Sequence, residues 1–205
     1  KNIARRFQRQ ILLDMDNSGR ASKDFFGLKF SSAFVPPEAL VRSDIASNNG
    51  NTNAVTVRAF CLDAAGTYMD AASGKPLVSP SSELLVLSPS FDAWTLGVVA
   101  YELLAAQPLF MRDRDDNMAN AKEMGRLAAW GAKDLRKLRS AISDSAACDF
   151  VEQLLQRDPS KRMTMTQALD HPYLTGGVAA MVERVLAKQD EALAKLVAIS
   201  LDLGD

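Results

Sequence analysis

Few side chains in this chain have the type and spacing to do chemistry. Two carboxylates, Asp14 and Asp16, follow the apolar run Ile11-Leu12-Leu13. Asp14-x-Asp16-x-Ser18-Gly19 opens like a calcium-binding loop, which needs a bidentate Glu at its twelfth position. That position is Phe25, and no helical pattern precedes the run, so the calcium reading fails. The single histidine, His171, precedes Pro172 and has neither a metal partner nor a nucleophile near it in sequence. Its expected role is to close a helix. Cys61 and Cys148 make neither a disulfide framework nor a metal site. They fit a reducing, cytoplasmic (intracellular) setting.

The elements that would position these groups are mainly helical. Apolar residues make up 47% and charged residues 24% of 205 residues, a globular balance with enough chain to bury a core. The net charge of −1 gives no bulk attraction to nucleic acid or to anionic lipid. The longest apolar stretch, 93–111, is interrupted by Glu102 and Pro108 and reads as a buried helix, not a membrane span. Ile11-Leu12-Leu13 reads as a buried strand, and 15–37 as an extended loop with Gly, Ser and two prolines. Residues 47–53 are a polar, turn-rich tract. Val55 to Leu62 and Thr67 to Met69 suggest a small hairpin. From Phe91 the pattern turns helical: Trp94, Val98, Tyr101 and Leu104 recur at three- and four-residue steps and share a face. Three further helices are predicted over 118–130, 149–155 and 164–170, the last with Thr164 as N-cap. Val178, Val182, Val185, Ala192, Leu196, Ile199 and Leu203 then mark one long tail helix. It either packs back on its own domain or forms a coiled coil that drives self-association through residues 178–203.

Several short signals fall in one order. Pro36-Pro37-Glu38 comes first, then Asp92-x-Trp94-x-x-Gly97, then Asp158-Pro159-x-x-Arg162, then His171-Pro172. In this order, with helical patterns between them, they resemble the eukaryotic-type protein kinase family, of the Ser/Thr or tyrosine-kinase-like group. The resemblance covers residues 1–175. It implies a fold that is mainly α: a protein-kinase-like C-terminal lobe with a short β-hairpin, a 41–90 insertion and an added C-terminal helix over 176–205. It also implies an ATP γ-phosphoryl transfer to Ser/Thr hydroxyls of a protein substrate, with no nucleic acid and no membrane as partner.

The resemblance assigns roles residue by residue. Glu38 would pair with Arg162, because a guanidinium fork holds a carboxylate through two parallel bonds. Asp92 would bond backbone amides of the catalytic loop, or cap its own helix. Asp14 and Asn2 would hold the Mg²⁺ that bridges the ATP phosphates. Asp14 stands 24 positions before Glu38 and Asn2 stands 12 before Asp14, and both spacings suit the family. Asp14-Met15-Asp16 would then replace Asp-Phe-Gly, and Asp16 departs from a glycine whose backbone angles Asp adopts only at a cost. Asp24-Phe25-Phe26-Gly27 is the competing choice, only 14 residues before Glu38 and with no apolar strand ahead of it. Ser31 matches the residue that favours a Ser/Thr acceptor, and Ser31 and Ser32 otherwise read as polar loop residues.

No His-Arg-Asp tract occurs in these residues, so the catalytic base and the small lobe are expected before Lys1. The chain is read as an incomplete fragment, inactive alone. The 53 residues between Glu38 and Asp92 far exceed what the family carries there. That insertion and Asp16 favour the alternative, a pseudokinase or a protein-interaction module.

Overall fold

The computed structural model describes residues 3–6, 9–12, 19–27, 30–43, 54–71, 73–79 and 84–176. The tail over 178–203, with its predicted helix, lies outside the described residues, as do Asn2, Asp14 and Asp16.

Helices hold the core. Helix α1, Pro89–Ala105, begins where Ser88 in extended backbone accepts the Ser90 amide through its hydroxyl and Pro89 takes the first turn. It ends at Ala106, whose φ of 52° breaks the helical path. Of the predicted stripe, Trp94 and Val98 are fully buried, Tyr101 is buried, and Leu104 is half-buried against the core. Helix α2, Ala121–Ala128, is capped by the side-chain Oδ1 of Asn120, which accepts from Glu123 N–H at 3.1 Å. Helix α3, Ala132–Ala141, was not predicted. Its charged run Lys133, Asp134, Arg136, Lys137 and Arg139 hides the apolar line Leu135, Leu138 and Ile142. Helix α4, Ser145–Leu154, is capped by Asp144, and α5, Met165–Leu169, by Thr164. The Thr164 hydroxyl accepts Gln167 N–H while the Gln167 side chain accepts Thr164 N–H, which satisfies two amides at once. The chain is helical again over 172–176.

Two tryptophans join these helices. Trp94 and Trp130 meet edge to face at 5.4 Å, Phe110 leans on Trp130 at 5.7 Å, and Trp130 Nε1 donates to the Leu155 carbonyl at 2.8 Å. Leu127, Leu138, Leu154 and Leu155 close around them with almost no exposed surface. Each such side chain contributes about 1.5–3 kcal/mol by leaving water. Gly97 lets α1 approach α4: a Cβ there would stand 2.8 Å from Leu155 and 2.9 Å from Leu154.

Strands are short and paired two by two. β1, Ile3–Arg6, pairs antiparallel with β2, Arg9–Leu12. The strand expected at Ile11-Leu12-Leu13 therefore runs earlier and belongs to a hairpin. β3, Phe25–Phe26, pairs with β8, Leu85–Val86, across the whole inserted stretch. β4, Leu40–Ser43, pairs with β5, Ala54–Val57. β6, Phe60–Leu62, pairs with β7, Tyr68–Asp70. The single expected hairpin thus divides. Its Val55 end joins β4, and only Phe60 onward turns back on itself, because Asp63 Oδ1 accepts the Ala65 and Thr67 amides and fixes the turn there.

Candidate functional site

The site is built around one buried cation. Pro36 and Pro37 set extended backbone and then a single 3₁₀ turn, Pro37–Ala39, which presents Glu38 to the helical core. Arg162 meets it in parallel fashion: Nη1 donates to Oε1 at 2.8 Å and Nη2 to Oε2 at 3.0 Å. The remaining donors are also used. Nη1 reaches the Ser90 carbonyl at 2.6 Å, Nε the Gln156 carbonyl at 3.0 Å, and Nη2 the Arg157 carbonyl at 3.4 Å. The guanidinium lies 5.2 Å from the Trp94 ring centre, within reach of the ring's negative face. The Arg162 side chain has no exposed surface and that of Glu38 is 16% exposed. Three segments far apart in sequence, the turn at Glu38, the start of α1 and the loop after α4, are thereby tied to one side chain. The pair is the one the resemblance implied. The Ser90, Gln156 and Arg157 carbonyls carried no sequence signal, because any residue type supplies one.

Asp92 sits in the first turn of α1, but Ser88 is the N-cap, so Asp92 does not cap the helix. Partial burial pushes its carboxyl up, and among the described residues it has no hydrogen-bond partner. The residue as a whole is nonetheless exposed. It is an acceptor poised for donors that the described residues do not supply.

Ser32 is buried at 6% exposure and its hydroxyl accepts Met118 N–H at 2.8 Å, while its own N–H donates to Asn117 Oδ1 at 3.0 Å. It is a structural joint, not a free loop hydroxyl. Ser31, one residue earlier, is half-buried. Thr95 Oγ1 donates to the Phe34 carbonyl at 3.2 Å and anchors the same loop on α1.

Other candidates resolve simply. His171 is buried; its Nδ1 accepts Tyr173 N–H at 3.1 Å, so its proton sits on Nε2, which donates to Asp149 at 3.0 Å. Its ring packs edge-on against Phe150. The expected helix-closing role falls instead to Asp170, the C-cap of α5, while His171 opens the helical run over 172–176, its Nδ1 and carbonyl accepting the Tyr173, Leu174 and Thr175 amides. Burial, then the neighbouring Glu152 carboxylate, pushes the Cys148 thiol up, away from thiolate reactivity. Asp24 is engaged by Arg20, whose N–H and guanidinium hold that carboxyl below the usual range. Among the described residues no group of three His, Cys, Asp or Glu side chains could hold a metal. No helix among them is long and apolar enough to cross a membrane.

Residues 81–174 match the protein kinase domain family. The "Probable serine/threonine-protein kinase fhkA" of Dictyostelium discoideum is 38% identical over 86 residues, which is 42% of this chain and 14% of that protein. Calcium/calmodulin-dependent protein kinase type 1B of Rattus norvegicus is 34% identical over 135 residues, 64% of this chain and 37% of that protein. The chain therefore spans well under half the length of these curated relatives. Among solved structures, the twitchin kinase region of C. elegans aligns over 84% of this chain and 23% of its own, at 22% identity and a TM-score of 0.47. The Rad53 kinase domain in complex with AMPPNP aligns over 42% of this chain and 32% of its own, at 27% identity and a TM-score of 0.32. Over residues 81–174, a little under half of its length, the chain matches the protein kinase domain family, and its curated relatives over partly overlapping stretches are Ser/Thr protein kinases.

Proposed function

We propose that residues 1–175 are the large lobe of a Ser/Thr protein kinase that transfers the ATP γ-phosphoryl group to protein hydroxyls, followed by a helix over 176–205. The observation that carries this reading is the bidentate Glu38–Arg162 pair, because it fastens the loop ahead of Glu38 to the first turn of α1 and to the loop after α4. Such a joint fixes the end of an activation segment against a rigid helical base. Geometry governs phosphoryl transfer, so a fixed base is what the reaction requires.

Asp14 and Asn2 would hold Mg²⁺. Their carboxylate and amide oxygens are the hard donors this ion takes, and this chemistry is the whole of the fit, since both lie outside the described residues. Held there, the ion would supply positive charge to offset the charge that develops on the transferred phosphoryl group. Asp92 supports the same reading differently: its unpartnered carboxylate, raised by burial, suits backbone N–H donors of a catalytic loop. Ser31, beside the anchored Ser32, is where a Ser/Thr acceptor hydroxyl would be positioned.

These 205 residues would supply supports and metal ligands, but they hold no His-Arg-Asp run, the tract whose Asp is the general base in the family. A non-catalytic reading, a pseudokinase or scaffold, is favoured by Asp16 where the family has glycine. Thermal melting of the intact protein separates the two. A rise of several degrees with MgATP, lost in Asp14→Ala, supports nucleotide binding; an unchanged transition leaves the scaffold reading.

A further inference from the structure

The loop ahead of Glu38 is gripped in two halves by two different parts of the fold. Residues 30–39 are held by the helical core through Ser32, Thr95 and Arg162. Residues 19–27 are held otherwise. Apart from Phe26 against Phe91 at 5.5 Å, their long-range bonds run to the inserted stretch. Ser22 N–H donates to the Leu87 carbonyl at 2.9 Å, Leu87 N–H returns to the Asp24 carbonyl at 2.9 Å, and Phe25 and Phe26 pair with Val86 and Leu85. On the other flank, Phe60 N–H donates to the Gly27 carbonyl at 3.0 Å, and Phe25 meets Tyr68 edge-on at 5.4 Å.

The approach is close enough to dictate residue type. Gly27 has φ of 120°, a conformation that L side chains rarely adopt, and a Cβ there would stand 2.5 Å from the Arg58 carbonyl oxygen. Tyr68 belongs to the β6–β7 hairpin and also touches Phe60 at 5.2 Å, so one ring joins the hairpin to the loop. The insertion therefore closes on residues 19–27 from both sides, with backbone bonds that do not depend on any charge.

We infer that the inserted stretch, through residues 58–71 and 84–87, is an internal clamp that keeps the 19–27 half of the activation segment ordered without phosphorylation. This rests on the reading of the loop ahead of Glu38 as an activation segment. A phosphate orders such a loop by pairing with arginines; here strand pairing takes that place. The regulation of the site would then lie in whatever loosens the hairpin.

Hydrogen exchange on the unphosphorylated 205-residue chain, without nucleotide, tests the clamp separately from the kinase reading. In the wild-type chain the Ser22, Phe26 and Phe60 amides are expected to be protected. Tyr68→Ala, on the insertion side, and Gly27→Ala, on the loop side, are each expected to speed exchange across 19–27 by about tenfold or more. Residues 32–39 and helices α1 and α4 should keep their wild-type rates, which distinguishes loosening from unfolding. If neither variant speeds exchange across 19–27, the inference is overturned. It is equally overturned if these amides gain protection only after phosphorylation. Neither result touches the assignment of Glu38, Arg162 or Asp14.

Discussion

Replacing Arg162 by Met keeps much of the side chain's length and packing but removes every donor. The structure fixes what is lost: two bonds to Glu38, three to main-chain carbonyls, and a stack on Trp94, all at a side chain with no exposed surface. Removing one member of a buried pair strands the other, at about 3–5 kcal/mol. For a domain of this size that corresponds to a fall in Tm of roughly 6–20 °C. Total stability is of order 5–15 kcal/mol, so the loss is a large share of it. Arg162→Lys should recover little, because an ammonium cannot fork across both carboxylate oxygens and also reach the Ser90 and Gln156 carbonyls. Urea unfolding followed by far-UV circular dichroism measures these losses. The decisive comparison is the double variant Glu38→Leu with Arg162→Met, which removes both charges. It should lose clearly less than the sum of the single losses, by at least about 1 kcal/mol of coupling. Single losses under about 1 kcal/mol, or simple additivity, would refute the reasoning that this pair joins the loop to the core.

Three further outcomes follow from the packing. Gly97→Ala should destabilise by about 1–3 kcal/mol, because its Cβ meets Leu154 and Leu155 at under 3 Å, whereas Gly125→Ala on the open side of α2 should stabilise by about 0.5–1 kcal/mol in the same urea titration. Ser32→Ala should cost about 1–3 kcal/mol, since it leaves the buried Met118 N–H without its acceptor, while Ser31→Ala should change Tm little. Folding raises the Asp92 carboxyl, so the folded state prefers the protonated form; the resulting penalty is absent at low pH and grows as pH rises through the carboxylate range. Asp92→Asn should therefore raise Tm of the 205-residue chain near neutral pH and lose that advantage below the carboxylate range, read by scanning calorimetry across pH.

Much of the helical part was legible because its signals are local. The stripe Trp94, Val98, Tyr101 repeats at helical spacing, and Thr164 with Gln167 forms a capping box within four residues. The Glu38–Arg162 pair spans 124 positions and came from motif order alone; no periodicity links them. Helix α3 escaped because its apolar positions are separated by lysines and arginines, so that composition there resembled a loop. The pairing of β3 with β8 was invisible for a different reason: two-residue strands carry no alternation to read, and their partner lies some sixty positions away. Asp92 looked like a cap because an acid near a helix start usually is one. Ser88, four residues earlier, took that place because Pro89 fixes the first turn behind it.

Incorporation of labelled γ-phosphate into a Ser/Thr peptide by the intact protein tests the central claim most directly. The account predicts Mg²⁺-dependent transfer, lost in Asp14→Ala and Asn2→Ala while both variants keep the wild-type fold by circular dichroism. Absence of transfer from the intact protein, or transfer undiminished in both variants, would contradict it.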